Sequence, residues 1–146
     1  MSSAVIDLDG SISDNSHREN LIEGENKKWR EYLQKASEDD ANEEILNFVQ
    51  KLAEEQRIVI LTCRSDEVKK ETINWLNEHE VPFDDLIMLP EGRWELSDSK
   101  FKRDKLEEIE NPVIAIDDKK ENCEMFRQEG LEVYTVKEGS PVKYAS

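Results

Sequence analysis

The chain has 146 residues and a formal net charge of −15, with 36% hydrophobic and 38% charged residues. No run of about 18 apolar residues exists to span a bilayer, and an apolar strand begins almost at once, so no signal peptide is expected. So acidic a surface excludes avid non-specific binding along nucleic acid, though not recognition of a nucleotide or strand end at a locally positive pocket.

Residues 4–8 read as a buried strand whose tip carries Asp7 and Asp9, followed by the turn Gly10-Ser11. Residues 11–40 are polar, with Trp29, Tyr32 and Leu33 marking one short amphipathic helix. Residues 42–55 place Ile45, Phe48, Val49 and Leu52 at helical spacing, and Asp40 with Glu43 resembles a capping box. The run 57–62, Arg-Ile-Val-Ile-Leu-Thr, is β-branched and aliphatic, as in a strand buried on both faces. Ser65 caps a helix lined by Val68, Thr72, Trp75 and Leu76, and residues 85–89 form a short strand. A loop with Pro90, Gly92 and Trp94 leads to a helix over about 99–109. A strand at 112–116, a helix at 119–129 closed by Gly130 and a last strand at 131–136 follow. The tail, 137–146, reads as a loosely packed surface segment. This alternation predicts a single α/β domain over residues 1–146, with a parallel sheet and helices on both faces.

In open α/β sheets ligands bind beyond the carboxyl ends of the strands. Asp7 and Asp9 end the first strand, Thr62 and then Arg64 the second, Asp117 and Asp118 the fourth. Lys102 shares a helical face with Leu106 and Ile109, so it points toward the sheet from the level of the strand tips, and Lys105, deeper on the flank, ranks second. Each residue has an ordinary alternative. Asp118 could cap its helix with Glu121, Thr62 could be a plain strand end and Asp117 a turn acid, Arg64 could be solvated, and Lys102 could snorkel to water. Their convergence on one sheet edge favours a site. At about 4 Å and an effective dielectric near 20, each pair of ionised carboxylates costs about 4 kcal/mol. A hard divalent cation held by oxygen, magnesium above all, relieves that cost. Thr62 and Lys102 suit phosphate oxygens. Cys63 and Cys123 lack metal-type spacing and His17 lies far from His79, so zinc is not expected, and free thiols point to the cytoplasm.

These residues resemble, in order, the four motifs of the haloacid dehalogenase (HAD) superfamily of aspartate-based phosphohydrolases: Asp7-Leu8-Asp9-Gly10-Ser11, the run ending in Thr62, Lys102 on its helix, and Asp117-Asp118. More narrowly, Ser16-His17-Arg18, Ile60-Leu61-Thr62-Cys63-Arg64, Asp98-Ser99-Lys100-Phe101-Lys102 and Ala115-Ile116-Asp117-Asp118 resemble the 3′-phosphatase domain of phage and bacterial polynucleotide kinases. The resemblance implies a HAD-like Rossmannoid three-layer fold with a five-stranded, mostly parallel sheet in the order 3-2-1-4-5. It also implies a flap and small helical cap at about 12–40. It makes Asp7 the nucleophile that forms an aspartyl-phosphate and Asp9 the acid/base. Magnesium is held by Asp7, the Asp9 backbone carbonyl, Asp117 and Asp118, and the phosphoryl group is oriented by Thr62 and Lys102. Arg64, Gly10, Ser11, His17 and Arg18 become candidate substrate contacts, with Trp29 and Arg30 further candidates on the cap. The implied substrate is a nucleotide or nucleic-acid 3′-phosphate, the alternative a small phosphorylated metabolite or free nucleotide.

Three departures stand out. Ser11 replaces the usual threonine, Cys63 stands where the subfamily has glycine, and Leu89 where it has arginine; the last two bear on the substrate pocket. No Gly-x-x-x-x-Gly-Lys-Ser/Thr stretch occurs, so no P-loop kinase half is expected within these 146 residues. A receiver-like phosphoacceptor domain is the remote alternative, but it needs an acceptor Asp at the tip of the third strand, which ends in Leu89.

Overall fold

The computed structural model describes residues 1–92 and 97–145. In chain order the elements are β1 (Ser3–Ile6), β2 (Ser13–Asp14), α1 (Trp29–Gln34), β3 (Asp40–Ala41), α2 (Glu43–Leu52), β4 (Arg57–Ser65) and α3 (Lys69–Glu78). There follow β5 (Asp85–Leu89), α4 (Asp98–Leu106), β6 (Pro112–Ile116), α5 (Lys120–Gln128), β7 (Glu132–Lys137) and β8 (Ser140–Lys143). The main sheet runs β5-β4-β1-β6-β7-β8. β1 lies parallel between β4 and β6, and only β8 is antiparallel.

Alternation along the central strands divides the core into two layers. Ala4 and Ile6 of β1, with Ile58 and Ile60 of β4, face Ile45 and Val49 of α2 and Trp75 and Leu76 of α3. Val5, Val59 and Leu61 face the other way, onto Phe101 and Leu106 of α4 and Cys123 and Phe126 of α5. Each of these aliphatic side chains contributes about 1.5–3 kcal/mol on full burial, so the strand ends meeting at the edge of this core are rigidly placed.

Several expectations need correction. The sheet has six strands rather than five, because the tail read as loose turns back at Gly139 and pairs as β8, with Tyr144 packed on the core. Both turn residues have positive φ, Glu138 at 50° and Gly139 at 78°, the conformation of a tight hairpin whose twist matches its strands. Asp40 does not cap α2: it lies in β3, opposite Asp14 of β2, and this two-stranded ribbon closes the neck of the insert. Strand β4 runs past Thr62 to Ser65, and α4 stops at Leu106. Ser65 does accept a hydrogen bond from the Glu67 amide, through a short 3-10 turn ahead of α3. Trp29 is exposed rather than on the buried side of α1, where Tyr32 lies. Trp94 lies outside the described residues. Among the described residues no helix is long and apolar enough to cross a membrane.

Candidate active site

β1 and β6 are adjacent parallel strands, and just past their ends the Asp7 amide donates to the Ile116 carbonyl at 2.9 Å. This register sets Asp7 beside Asp117 and Asp118, and carboxylate oxygens of the three lie within 4.8 Å of one another. Asp7 and Asp117 are buried and Asp118 is exposed at the rim. Lys102, on the inward face of α4, donates to Asp7 Oδ1 at 2.8 Å and Asp117 Oδ2 at 2.7 Å. Ser11 donates to the other Asp7 oxygen at 2.9 Å, so both oxygens of that carboxylate are oriented. Asp117 also accepts from the Lys119 amide at 3.0 Å and from Asn122 Nδ2 at 3.1 and 3.2 Å.

Gly10 explains how the acids come so close. Its φ is +83°, and a Cβ there would lie 2.2 Å from Asp118 Oδ2. Only glycine lets the turn pass under that carboxylate at a left-handed backbone angle.

One lysine does not neutralise three acids. Burial, opposed by Lys102 and reinforced by Asp118, holds the Asp7 carboxyl at about 7 against an ordinary 3.8. Burial also pushes Asp117 and Asp118 upward. Lys102 goes the other way from a buried lysine's tendency: burial lowers it, but Asp117 and Asp7 outweigh that and hold it firmly charged. A compact all-oxygen donor set with protons held against their ordinary tendency fits a hard divalent cation such as magnesium, which Asp7, Asp117 and Asp118 could hold.

Two residues along, Asp9 sits in the opposite environment. Arg18 Nη2 and Arg64 Nη2 each reach its Oδ1 at 2.5 Å. Burial would raise Asp9, but Arg64 and Arg18 overcome it and hold the carboxyl at about 2. Arg18 is fully buried, forked onto Asp39 through Nε (2.8 Å) and Nη2 (2.7 Å), and donates to the Tyr32 carbonyl at 3.1 Å. Arg64 is anchored by Thr72 Oγ1 at 3.0 Å. His17 Nε2 lies 2.6 Å from Asp39 Oδ1 at the cap rim.

The structure therefore brings Asp7, Ser11, Lys102, Asp117 and Asp118 into one cluster and Asp9, Arg18 and Arg64 into its neighbour. Thr62, buried at the bend of β4, accepts from the Arg64 amide at 3.1 Å. Trp29 and Arg30 are exposed on α1, outside both clusters. Lys105 pairs with Glu108 at 2.9 Å on the surface, away from the acids. Asp118 does not cap α5, whose first turn carries no side-chain cap. Cys63 is half-buried with its thiol pushed up by burial, which makes it unreactive. Asp39 and Asn122 are the residues missing from the sequence reading. Asp39 lies within the acidic run 38–40, where nothing singles it out, whereas Asn122 follows Asp117 by five residues on the first turn of α5 and could have been inferred.

Comparison with known proteins adds the following. The family described as polynucleotide kinase PNKP phosphatase domain matches residues 1–140. A chain in the structure of the Pnkp1/Rnl/Hen1 RNA repair complex is similar at 20% identity and a TM-score of 0.78, over 92% of this chain and 42% of that one. A second Pnkp1/Rnl/Hen1 structure gives 20%, 0.75, 92% and 45%. The class C acid phosphatase of Bacillus anthracis is similar at 18% identity and a TM-score of 0.60, over 83% of this chain and 52% of that one. At these identities the structural likeness is one of fold, and the chain spans less than half the length of the first two. No curated protein matches it significantly. The family match removes the receiver-like alternative.

Proposed function

The chain belongs to the polynucleotide kinase PNKP phosphatase domain family of HAD-type phosphoric monoester hydrolases, and from that premise we propose that it is a magnesium-dependent 3′-phosphatase of nucleotide or polynucleotide ends working through an aspartyl-phosphate. The observation that carries the proposal is Asp7, held by Lys102 and Ser11 on its two oxygens and facing Asp117 and Asp118.

An Asp7 oxygen attacks phosphorus, the bond from phosphorus to the ribose oxygen breaks, and Asp9 gives that oxygen its proton. Water then attacks phosphorus and yields its proton to Asp9, and the Asp7 carboxylate and inorganic phosphate separate. Magnesium, when bound by the three acids, neutralises charge on them and on the phosphoryl oxygens. Lys102 and the Thr62 hydroxyl face that group as donors. Asp9 must acquire a proton before the first step, yet two arginines keep it ionised. An arriving phosphate dianion competes for the fork of Arg64, and as Arg64 turns to the phosphate, burial raises Asp9 into a range where it can act as an acid.

A second reading keeps the chemistry and changes the substrate to a free nucleotide or small phosphorylated metabolite, favoured by the net charge of −15. Turnover of a 3′-phosphorylated oligonucleotide measured against 3′-mononucleotides separates the two. We expect kcat/KM to favour the oligonucleotide by at least about tenfold, the share that one stacked base supplies; equal values would establish the second reading.

A further inference from the structure

Trp29 is 52% exposed, and among the described residues it is the one exposed large aromatic side chain. Its surroundings invert the charge of the molecule. Over residues 27–35, Lys27, Lys28, Arg30 and Lys35 stand against Glu31 alone, in a chain whose formal charge is −15. Glu31 is taken up by Lys35 at 3.7 Å, while Lys27 places its ammonium 5.9 Å from the Trp29 ring. Beside this face lies an open cleft of about 700 Å³ lined by Lys28, Arg30 and Lys35 together with Glu31, Gln34 and Glu38.

The indole on this face is linked to the catalytic cluster through the packed interior of the insert. Trp29 packs edge-on against Tyr32, with centroids 5.9 Å apart. Arg18 lies over the Tyr32 ring at 4.2 Å, and Arg18 holds Asp9. Trp29 is thus coupled to the reacting acids through one buried ring and one buried arginine. Packing of the cap does not account for the exposed half of the indole, since Tyr32, not Trp29, fills the interior of α1.

We propose that the exposed face of α1 is a docking surface for single-stranded nucleic acid, with Trp29 stacking on a base and Lys27, Lys28 and Arg30 neutralising phosphodiesters 5′ of the terminal phosphate. The inference rests on the 3′-phosphatase reading for the direction of the strand. Exposed aromatic rings interleaved with cations are how proteins hold single strands without reading sequence. A small phosphorylated metabolite bound at Asp7 would have no use for this face.

The test uses the full chain and two probes. A 5′-fluorescein thymidine decamer without a terminal phosphate reports docking by anisotropy in low salt, and the 3′-phosphorylated decamer and p-nitrophenyl phosphate report hydrolysis. Trp29→Ala should weaken decamer binding about tenfold, with Trp29→Phe restoring most of it. A Lys27→Gln, Lys28→Gln, Arg30→Gln variant should flatten the salt dependence of binding. In hydrolysis, Trp29→Ala should lower kcat/KM about tenfold more for the phosphorylated decamer than for p-nitrophenyl phosphate. Wild-type affinity of Trp29→Ala for the decamer, or an equal loss on both hydrolytic substrates, overturns the docking surface, as does a wild-type chain that binds an acidic peptide but no decamer. Failure of the wild type to release phosphate from a decamer that it binds would instead sink the 3′-phosphatase reading, and leave the docking surface standing.

Discussion

Asp7 and Asp9 stand two residues apart on one turn and are held in opposite charge states. Around Asp7 there is an excess of acid: two more carboxylates, one lysine, and a carboxyl lifted to about 7 by burial. Around Asp9 there is an excess of base: two arginines converge on it and hold it at about 2 despite burial. The backbone spacing alone carries no such distinction. It comes from which strands and helices abut each carboxylate, β6 and α4 for Asp7, β4 and the cap for Asp9. The comparison teaches that the pair is divided by its neighbours into a half with more acid than its one lysine balances, where we propose the cation, and a half whose two arginines already balance it.

The most severe way to break this comparison is the same change at both positions. Asp7→Asn removes the proposed nucleophile and should lower turnover by at least about 10⁴-fold. It should leave metal-free stability within about 1 kcal/mol, because it deletes an acid the fold holds reluctantly. Asp9→Asn should lower turnover by about 10²–10⁴-fold, most for alkyl and least for nitrophenyl leaving groups. It should also cost about 3 kcal/mol of stability, since Arg18 and Arg64 lose a buried counter-charge. Urea unfolding of the two variants reads the contrast directly. If both lose the same stability, the two halves are not electrostatically opposed.

Gly10→Ala acts at the seam between the halves and should have a smaller effect. The added methyl must displace Asp118 Oδ2, 2.2 Å away, at a φ of +83°. We expect about 1–2 kcal/mol of lost stability from the backbone and roughly a tenfold higher magnesium requirement, equivalent to about 1.4 kcal/mol of binding. An unchanged magnesium titration of activity would remove Asp118 from the ligand set.

Much of the acid-rich half was legible in the sequence, because each member sits where periodicity places it: Asp7 and Asp117 at the ends of aliphatic runs, Lys102 four residues before Leu106 on an inward face. The arginine-rich half was only partly legible. The resemblance makes Arg18 and Arg64 candidate substrate contacts, but the burial of Arg18 against Asp9 depends on Asp39, 21 residues away in the chain, and Arg64 is anchored by Thr72. No local pattern distinguishes Asp39 from Glu38 or Asp40; only the ribbon of β2 and β3, which closes the insert, turns it inward. The missed strand β8 is a different failure. The turn at Glu138-Gly139 gives little local signal, since glutamate rarely takes the positive φ it has here, and the polar character of the tail hides the strand beyond it.

One measurement probes the proposed cation site without mutation, the pH dependence of metal-induced stabilisation. Asp7 is raised to about 7 in the folded chain against 3.8 as its ordinary value, so between those values the folded state keeps a proton that the unfolded state has released. Metal-free stability therefore falls as pH rises from about 4 to about 7 and levels off above. Asp9, lowered to about 2, contributes stability above its ordinary 3.8 that is lost as pH falls toward 2, outside that window. Magnesium competes with the Asp7 proton. At pH 5 only about 1% of a carboxyl titrating near 7 is ionised, so magnesium binds about 100-fold more weakly than at full ionisation, a difference of about 2.7 kcal/mol. In excess magnesium the rise in Tm should then be greater at pH 7.5 than at pH 5 by about 5 °C for a chain of this size. The upward shifts of Asp117 and Asp118 act in the same direction. Equal magnesium-induced rises at the two pH values would mean that no proton is exchanged for the metal, and that the acids around Asp7 are not its ligands.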